Sequence, residues 1–290
     1  MKTSASWWKQ AVQWGRRIAH RFYGEYLMPC RLNEYERILQ ILLASDYTFR
    51  SVQSYWDLLL SGKPIGKTVL LRHDVDTDRQ IVARFLEIEK RLGVQSTYYF
   101  RLSTLDIPLM QQIHAMGSEA SYHYEEIAEV AKRRGIGRID AIKPFLAEIG
   151  DLFCARVEDI RKRAGVPVRT VASHGDFANR LLGLANTALL DEAVRARAKI
   201  EVEAYDMELM QGVFRISDAP FPTFWHPAPP TEGIVSGTQV MQIIVHSRHW
   251  RSARLENLRC DIIRLWEGLL FFVRTGLLTY THRVRERIDD

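Results

Sequence analysis

Several apolar runs in this chain end in histidine or a carboxylate. Val69-Leu70-Leu71-Arg72 leads into His73-Asp74-Val75-Asp76, Ser121-Tyr122 into His123-Tyr124-Glu125, Val171-Ala172-Ser173 into His174-Gly175-Asp176, and Ile243-Ile244-Val245 into His246. Alternate side chains of an extended segment point the same way, so Asp74 and Asp76 are placed to converge. A carboxylate at the end of a buried strand is costly without a partner, which favours function over turn formation at both. Histidine and aspartate together suit a divalent metal. Catalytic zinc takes about three protein ligands and keeps a position for water, whose pKa falls to roughly 7. A nearby carboxylate then accepts a proton, and a second group protonates the leaving atom. Each residue also has a plainer reading: His73 as a partner for Arg72, His123 and His174 as hydrogen-bonded core histidines, the aspartates as turn formers. His249 and His226 are weaker candidates. No GxSxG elbow surrounds Ser247, and the chain has no P-loop and no GxGxxG.

For residues this far apart to share a site, the strands must run parallel with their carboxyl ends on one face. The apolar spacing predicts helices over 34–43, 54–60, 81–92, 108–116, 139–164 and 255–274. Strands are expected at 47–50, 68–72, 95–101, 119–125, 170–175, 199–205, 213–217 and 239–246. This alternation argues for an α/β fold with a largely parallel sheet.

The composition, 47% hydrophobic and 26% charged over 290 residues, excludes collagen-like, mucin-like and mainly disordered chains. The formal charge of +5 suits anionic lipid, glycan or nucleic acid, but no nucleic-acid motif accompanies it. Cys30, Cys154 and Cys260 form no CxxC pair, which argues against a disulfide framework and for a reducing cytoplasm. No run of about 20 apolar residues and no signal-peptide h-region is visible. Residues 1–32 stand apart: Trp7, Trp8, Trp14, Ile18 and Phe22 alternate with Lys2, Lys9, Arg16, Arg17 and Arg21, and no acid precedes Glu25. Such a basic aromatic helix either caps the domain or lies in a membrane interface. The remainder, 33–290, reads as one catalytic domain.

Leu70 to Thr77, then Ser96 to Arg101, then Gly117 to Glu125 together resemble the polysaccharide deacetylase superfamily (NodB homology, carbohydrate esterase family 4). The resemblance runs from about Val69 to Trp250, and the WbmS-type branch from O-antigen clusters looks most similar. It implies a distorted (β/α)7 barrel with an N-terminal helical extension, and a divalent metal, foremost zinc. By position, Asp74 matches the general base and His246 the histidine that protonates the leaving group, with Asp218 orienting it. Asp76 and His123 match metal ligands, although Val75 splits the usual aspartate pair and leaves open which aspartate binds. The family's second metal histidine falls at Ile127, so His174 is taken as its substitute. Arg72, Tyr124, Glu125, Asp176 and Trp225 are the expected substrate contacts. The implied reaction is removal of an acetyl or formyl group from an amino sugar, in a surface polysaccharide or a lipid-linked O-antigen intermediate, at the cytoplasmic face of the inner membrane. Two alternatives stand beside it: a catalytically inactive sugar-binding scaffold on the same barrel, and a small-molecule amidohydrolase.

Overall fold

The computed structural model describes residues 4–286, with side chains over 12–276. Lys2 and the side chains of Trp7, Trp8 and Lys9 therefore lie outside the described residues. The strands are β1 (Thr48–Arg50), β2 (Thr68–Val75), β3 (Thr97–Phe100), β4 (Glu119–Tyr124), β5 (Thr170–Ser173), β6 (Val202–Glu203), β7 (Phe214–Asp218), β8 (Trp225–His226) and β9 (Val240–His246). Helices separate most of them, and the chain is α/β, as its alternating pattern predicts. It forms two compact units, Met1–Tyr98 with Gly212–Leu258, and Tyr99–Gln211 with Arg259–Asp290.

In the first unit β1, β2, β9 and β7 pair in parallel, and β8 closes antiparallel on β7. Every residue of β2 is buried. A parallel strand covered on both faces reads as a near-continuous apolar run, which is why Val69 to Leu71 were legible. The register sets Asp74 beside His246 and Ser217, the neighbour of Asp218, beside Ile244. The helix Arg79–Leu92 turns Ile81, Val82, Phe85 and Leu86 into the core and ends at Gly93, whose φ of +66° suits a glycine cap. The N-terminal helix Ser4–Phe22 passes through a π-helical turn, Tyr23–Leu27, before the helix Leu32–Ala44. That turn is tied down: Arg248 Nη2 donates to Glu25 at 2.5 Å, and Ser252 Oγ to the carbonyl of Met28 at 2.8 Å.

In the second unit β4, β5 and β6 pair in parallel, and β4 is wholly buried. The helix expected over 139–164 is broken. A turn at Ile139–Ile142 and a 3₁₀ segment at Lys143–Phe145 precede the helix Leu146–Ala164. Pro144 sits at the start of the 3₁₀ segment, lacks an N–H and cannot continue the turn before it. The strand expected over 199–205 shrinks to β6, because Lys199 takes a left-handed conformation (φ +52°) to end the helix Glu192–Ala198. The helices Glu126–Arg134, Phe177–Leu182 and Pro230–Val235 lie where the apolar spacing predicts none, and the last helix runs on from Arg254 to Glu286. Among the described residues no helix is long and apolar enough to cross a membrane.

Candidate active site

In the first unit the end of β2 and the end of β9 bring a carboxylate and an imidazole together. Arg72 is sealed from solvent and grips Asp74 with two bonds, Nε to Oδ1 at 2.7 Å and Nη2 to Oδ2 at 2.9 Å. Such a fork fixes the plane of the carboxylate. Oδ2 of Asp74 lies 3.8 Å from Nε2 of His246. The other face of that imidazole is held by Asp218, whose Oδ1 is 2.6 Å from His246 Nδ1. Asp218 Oδ2 accepts from the backbone N–H of His246 and from Trp250 Nε1, both at 2.8 Å. His249, carried round by the 3₁₀ turn Ser247–His249, brings its Nδ1 within 3.0 Å of the same Oδ1.

The electrostatics follow. Burial acts to raise the Asp218 pKa, but the neighbouring His249 and His246 outweigh it and hold the carboxyl below its usual range. Burial acts to lower the pKa of His246, but Asp218, then Asp74 and Asp76, outweigh it and push the imidazole up to about 9. His246 is therefore a cation at neutral pH, with Nδ1–H given to Asp218 and Nε2–H presented toward Asp74.

Behind Asp74, His73 turns to the opposite face of β2, into a buried polar cluster. Its ring stacks on Tyr98, centroids 4.2 Å apart and planes 6° from parallel. Glu89 is completely buried. Its Oε1 accepts from Tyr35 Oη at 2.5 Å and lies 2.7 Å from His73 Nε2, and its Oε2 accepts from Ser96 Oγ at 2.5 Å. Burial, and then Glu89, raise the pKa of Tyr35 and Tyr98, so both hydroxyls stay protonated, and Tyr35 donates to Glu89.

In the second unit β4 and β5 carry His123 and His174, ring centroids 5.2 Å apart. His123 Nδ1 lies 2.9 Å from the carbonyl of Ala172. A carbonyl only accepts, so Nδ1 holds a proton and Nε2 is the nitrogen a metal would use. His174 Nδ1 lies 3.0 Å from Glu125 Oε2, and Arg101 holds that carboxylate from the far side, Nη2 to Oε2 at 2.8 Å. Burial acts to raise the Glu125 pKa, but His174 and Arg101 outweigh it and keep the group ionised. An imidazole whose second nitrogen is engaged by a carbonyl or carboxylate is the usual form of a metal-ligating histidine. The donor chemistry of both histidines suits a metal, and His174 forms with Glu125 and Asp176 a group of three possible ligands whose atoms lie within 4.8 Å of one another, as do Asp218, His246 and His249 in the first unit. Asp76, also expected as a ligand, belongs to the first unit. Ile127, at the place of the family's second histidine, is buried in the apolar core.

The expected substrate contacts need revision. Arg72 is buried and committed to Asp74, so it positions that carboxylate instead of meeting substrate. Tyr124 is fully buried against Phe153. Burial, and then Glu203, raise its pKa, and no face of it is open for a sugar to stack on. Trp225 is buried against Trp250, centroids 5.8 Å apart. Asp176 caps the helix Phe177–Leu182 through the N–H of Ala178 at 2.8 Å and pairs with Lys132 Nζ at 3.0 Å. Glu125 is the support of His174. Arg101, Glu89 and Tyr35 are partners that no motif marks, although Arg101 follows the apolar run of β3 much as Arg72 follows that of β2.

No family model matches the chain, and no curated protein matches it. Among solved structures, a mutant of BA3943, described as a CE4 family pseudoenzyme with restored enzymatic activity, aligns at 15% identity and a TM-score of 0.40. That alignment covers 71% of this chain and 65% of the other, just under two thirds of its length. A point mutant of the peptidoglycan deacetylase PdaC from Bacillus subtilis aligns at 11% identity and a TM-score of 0.40, covering 77% of this chain and 98% of the other. The Bc1960 peptidoglycan N-acetylglucosamine deacetylase, in complex with an N-oxidanyl-benzamide, aligns at 15% identity and a TM-score of 0.34, covering 77% and 87%.

Proposed function

We propose that this chain is a metal-dependent hydrolase that removes an N-acyl group, acetyl or formyl, from an amino sugar. The observation that carries the reading is the pairing of Asp74 with a cationic His246, one carboxylate fixed by Arg72 and one imidazole fixed by Asp218. Amide hydrolysis needs one group to accept a proton from water and another to give one to the departing amine. Asp74 accepts at Oδ2 and has no freedom to turn away, because Arg72 holds both its oxygens. His246 donates from Nε2, and its charge at neutral pH keeps that proton available. Asp218 holds Nδ1 and steadies the cation before the transfer. His123 and His174 would hold the metal through Nε2. When bound, zinc or a similar ion would supply Lewis acidity toward the acyl carbonyl and lower the pKa of water.

The substrate is assigned to a surface polysaccharide or a lipid-linked O-antigen intermediate, met in the cytoplasm at the inner membrane. Supporting the membrane part, the N-terminal helix exposes Trp14 (67%), Ile18 and Phe22 beside Arg16, Arg17 and Arg21. Rings and arginines together suit an anionic interface. Deleting residues 1–30 should release the protein from membranes, and unchanged fractionation would contradict this part.

One observation favours a second reading, a sugar-binding scaffold without catalysis: Ile127 in place of a metal histidine. Elemental analysis by mass spectrometry separates the two. The hydrolase should carry about one equivalent of a transition metal that His123→Ala abolishes; a scaffold should retain none, even after zinc is offered.

A further inference from the structure

His246 and His249 stand three residues apart across the 3₁₀ turn Ser247–His249. Side chains at i and i+3 of such a turn eclipse, so both imidazoles leave the chain on one side. Their ring centroids are 5.4 Å apart. Both bring Nδ1 to the same oxygen, Asp218 Oδ1, at 2.6 Å for His246 and 3.0 Å for His249. The three atoms lie within 4.8 Å of one another. The two contacts differ in kind. His246 makes a hydrogen bond, whereas the buried Nδ1 of His249 makes none of proper geometry among the described residues. Proton transfer employs His246 and Asp218 and gives His249 no part.

We propose that Asp218, His246 and His249 form a second site for a divalent transition ion of the zinc class, and that an ion there disables the proton donor. The donor set selects the ion. Two imidazoles and a carboxylate suit zinc and its neighbours, whereas magnesium and calcium take oxygen ligands. Zinc holds such atoms at about 2.0–2.2 Å, which sets them about 3.3 Å apart in a tetrahedron. The His249 contact is near that spacing, and the 2.6 Å contact of His246 must open by about 0.7 Å. The carboxylate is braced as a ligand needs to be: its Oδ2 is held by the backbone N–H of His246 and by Trp250 Nε1, both at 2.8 Å. Solvent reaches the imidazoles, whose side chains are 27% and 21% exposed, while Asp218 is sealed. The ion takes the place of the Nδ1 proton that His246 gives to Asp218, and that proton leaves to solvent. The neutral ring then keeps its Nε2 hydrogen, because releasing it would leave an imidazolate, and the departing amine has no donor. This control rests on the hydrolase reading above, but its ligands are separate from His123 and His174.

The test is equilibrium dialysis of the full chain against limiting and excess zinc, with the bound ion counted by elemental analysis. The wild type should hold about one equivalent in limiting zinc and a second in excess. His249→Asn should lose the second alone, and His123→Ala the first alone. Should His249→Asn fold poorly by circular dichroism, His249→Phe, which keeps the ring bulk, must show the same loss. A single equivalent that His249→Asn removes and His123→Ala keeps upholds this site and overturns the assignment of the metal to His123. No loss of zinc on changing His249 overturns the proposal, whether the wild type binds two equivalents, one or none. The deacylation rate in excess zinc, divided by the rate at one equivalent, should fall at least about tenfold in the wild type and less than about twofold in His249→Asn, whatever that variant's own rate. An equal fall in both places the inhibition elsewhere and overturns the control. With no deacylation at all the hydrolase reading fails, while the zinc count still decides the site.

Discussion

His246 Nδ1 lies 2.6 Å from Asp218 Oδ1, and the same carboxylate also accepts the backbone N–H of His246. Asp218 therefore sets both the position of the strand end and the protonation of the ring. The arrangement joins two parallel strands: β9 delivers the imidazole, and β7 delivers the group that keeps it cationic.

The first prediction concerns pH. As the proton donor, His246 must be protonated, so the rate should fall as pH rises through about 9. Asp218→Asn removes the dominant attraction, and the alkaline limb should move down toward the ordinary imidazole value of 6.5. Stability moves in the same sense. The folded pKa lies above the unfolded one, so the contribution is complete below about 6.5 and is lost as pH rises through about 9. NMR titration of the His246 ring checks the pKa directly, and thermal melts across pH 6 to 10 check the linkage.

The buried fork between Arg72 and Asp74 makes a stability prediction. Arg72→Met keeps the apolar bulk but strands a carboxylate that is 4% exposed. The cost should be about 3–5 kcal/mol in denaturant unfolding. Asp74→Asn leaves the sealed guanidinium of Arg72 without a counter-charge, so it should cost a similar amount of stability and more activity.

Glu89 should behave as a structural acceptor. Glu89→Leu orphans the donors of Tyr35 and Ser96 and should destabilise the fold by about 3–5 kcal/mol. Glu89→Gln retains one acceptor oxygen and should cost about 1–3 kcal/mol. Equal losses in urea titrations of the two variants would show that the ring packing of His73 on Tyr98, and not the carboxylate, holds this cluster.

For the metal, Glu125→Gln should weaken affinity about 10–100-fold by releasing His174 from its charged support. Competition with a zinc chelator measures this, and Arg101→Met should move affinity in the same direction. A Glu125 variant with unchanged affinity would remove His174 from the ligand set.

Much of this architecture was readable because buried parallel strands advertise themselves. Val69 to Leu71 and Ile243 to Val245 are apolar runs, and their ends point to Asp74 and His246. Short elements were not readable. Val202–Glu203 is held by its neighbour β5 and carries no pattern of its own, and the break at Pro144 was masked by the charged helical spacing around it. The site was half readable for a related reason. The resemblance places Asp218 by position alone, and the register of β7 on β9 supplies the physical reason it meets His246. Glu89 sits in the run Glu87-Ile88-Glu89-Lys90-Arg91, which reads as a solvated face. Its spacing of four from Phe85 and eight from Ile81 was the available sign that it points inward. Tyr124 and Trp225 went the other way: ring chemistry suggested sugar contacts, and burial assigns both to the core.

The central claim is most directly tested by measuring acetate and formate released from N-acylated amino sugars by the zinc-loaded protein, beside Asp74→Asn and His246→Gln. The account predicts release by the wild type and a loss of about 10²–10⁴-fold in each variant, with metal content unchanged. Release that persists in both variants, or no release from any acylated sugar by a protein that holds its metal, would contradict it.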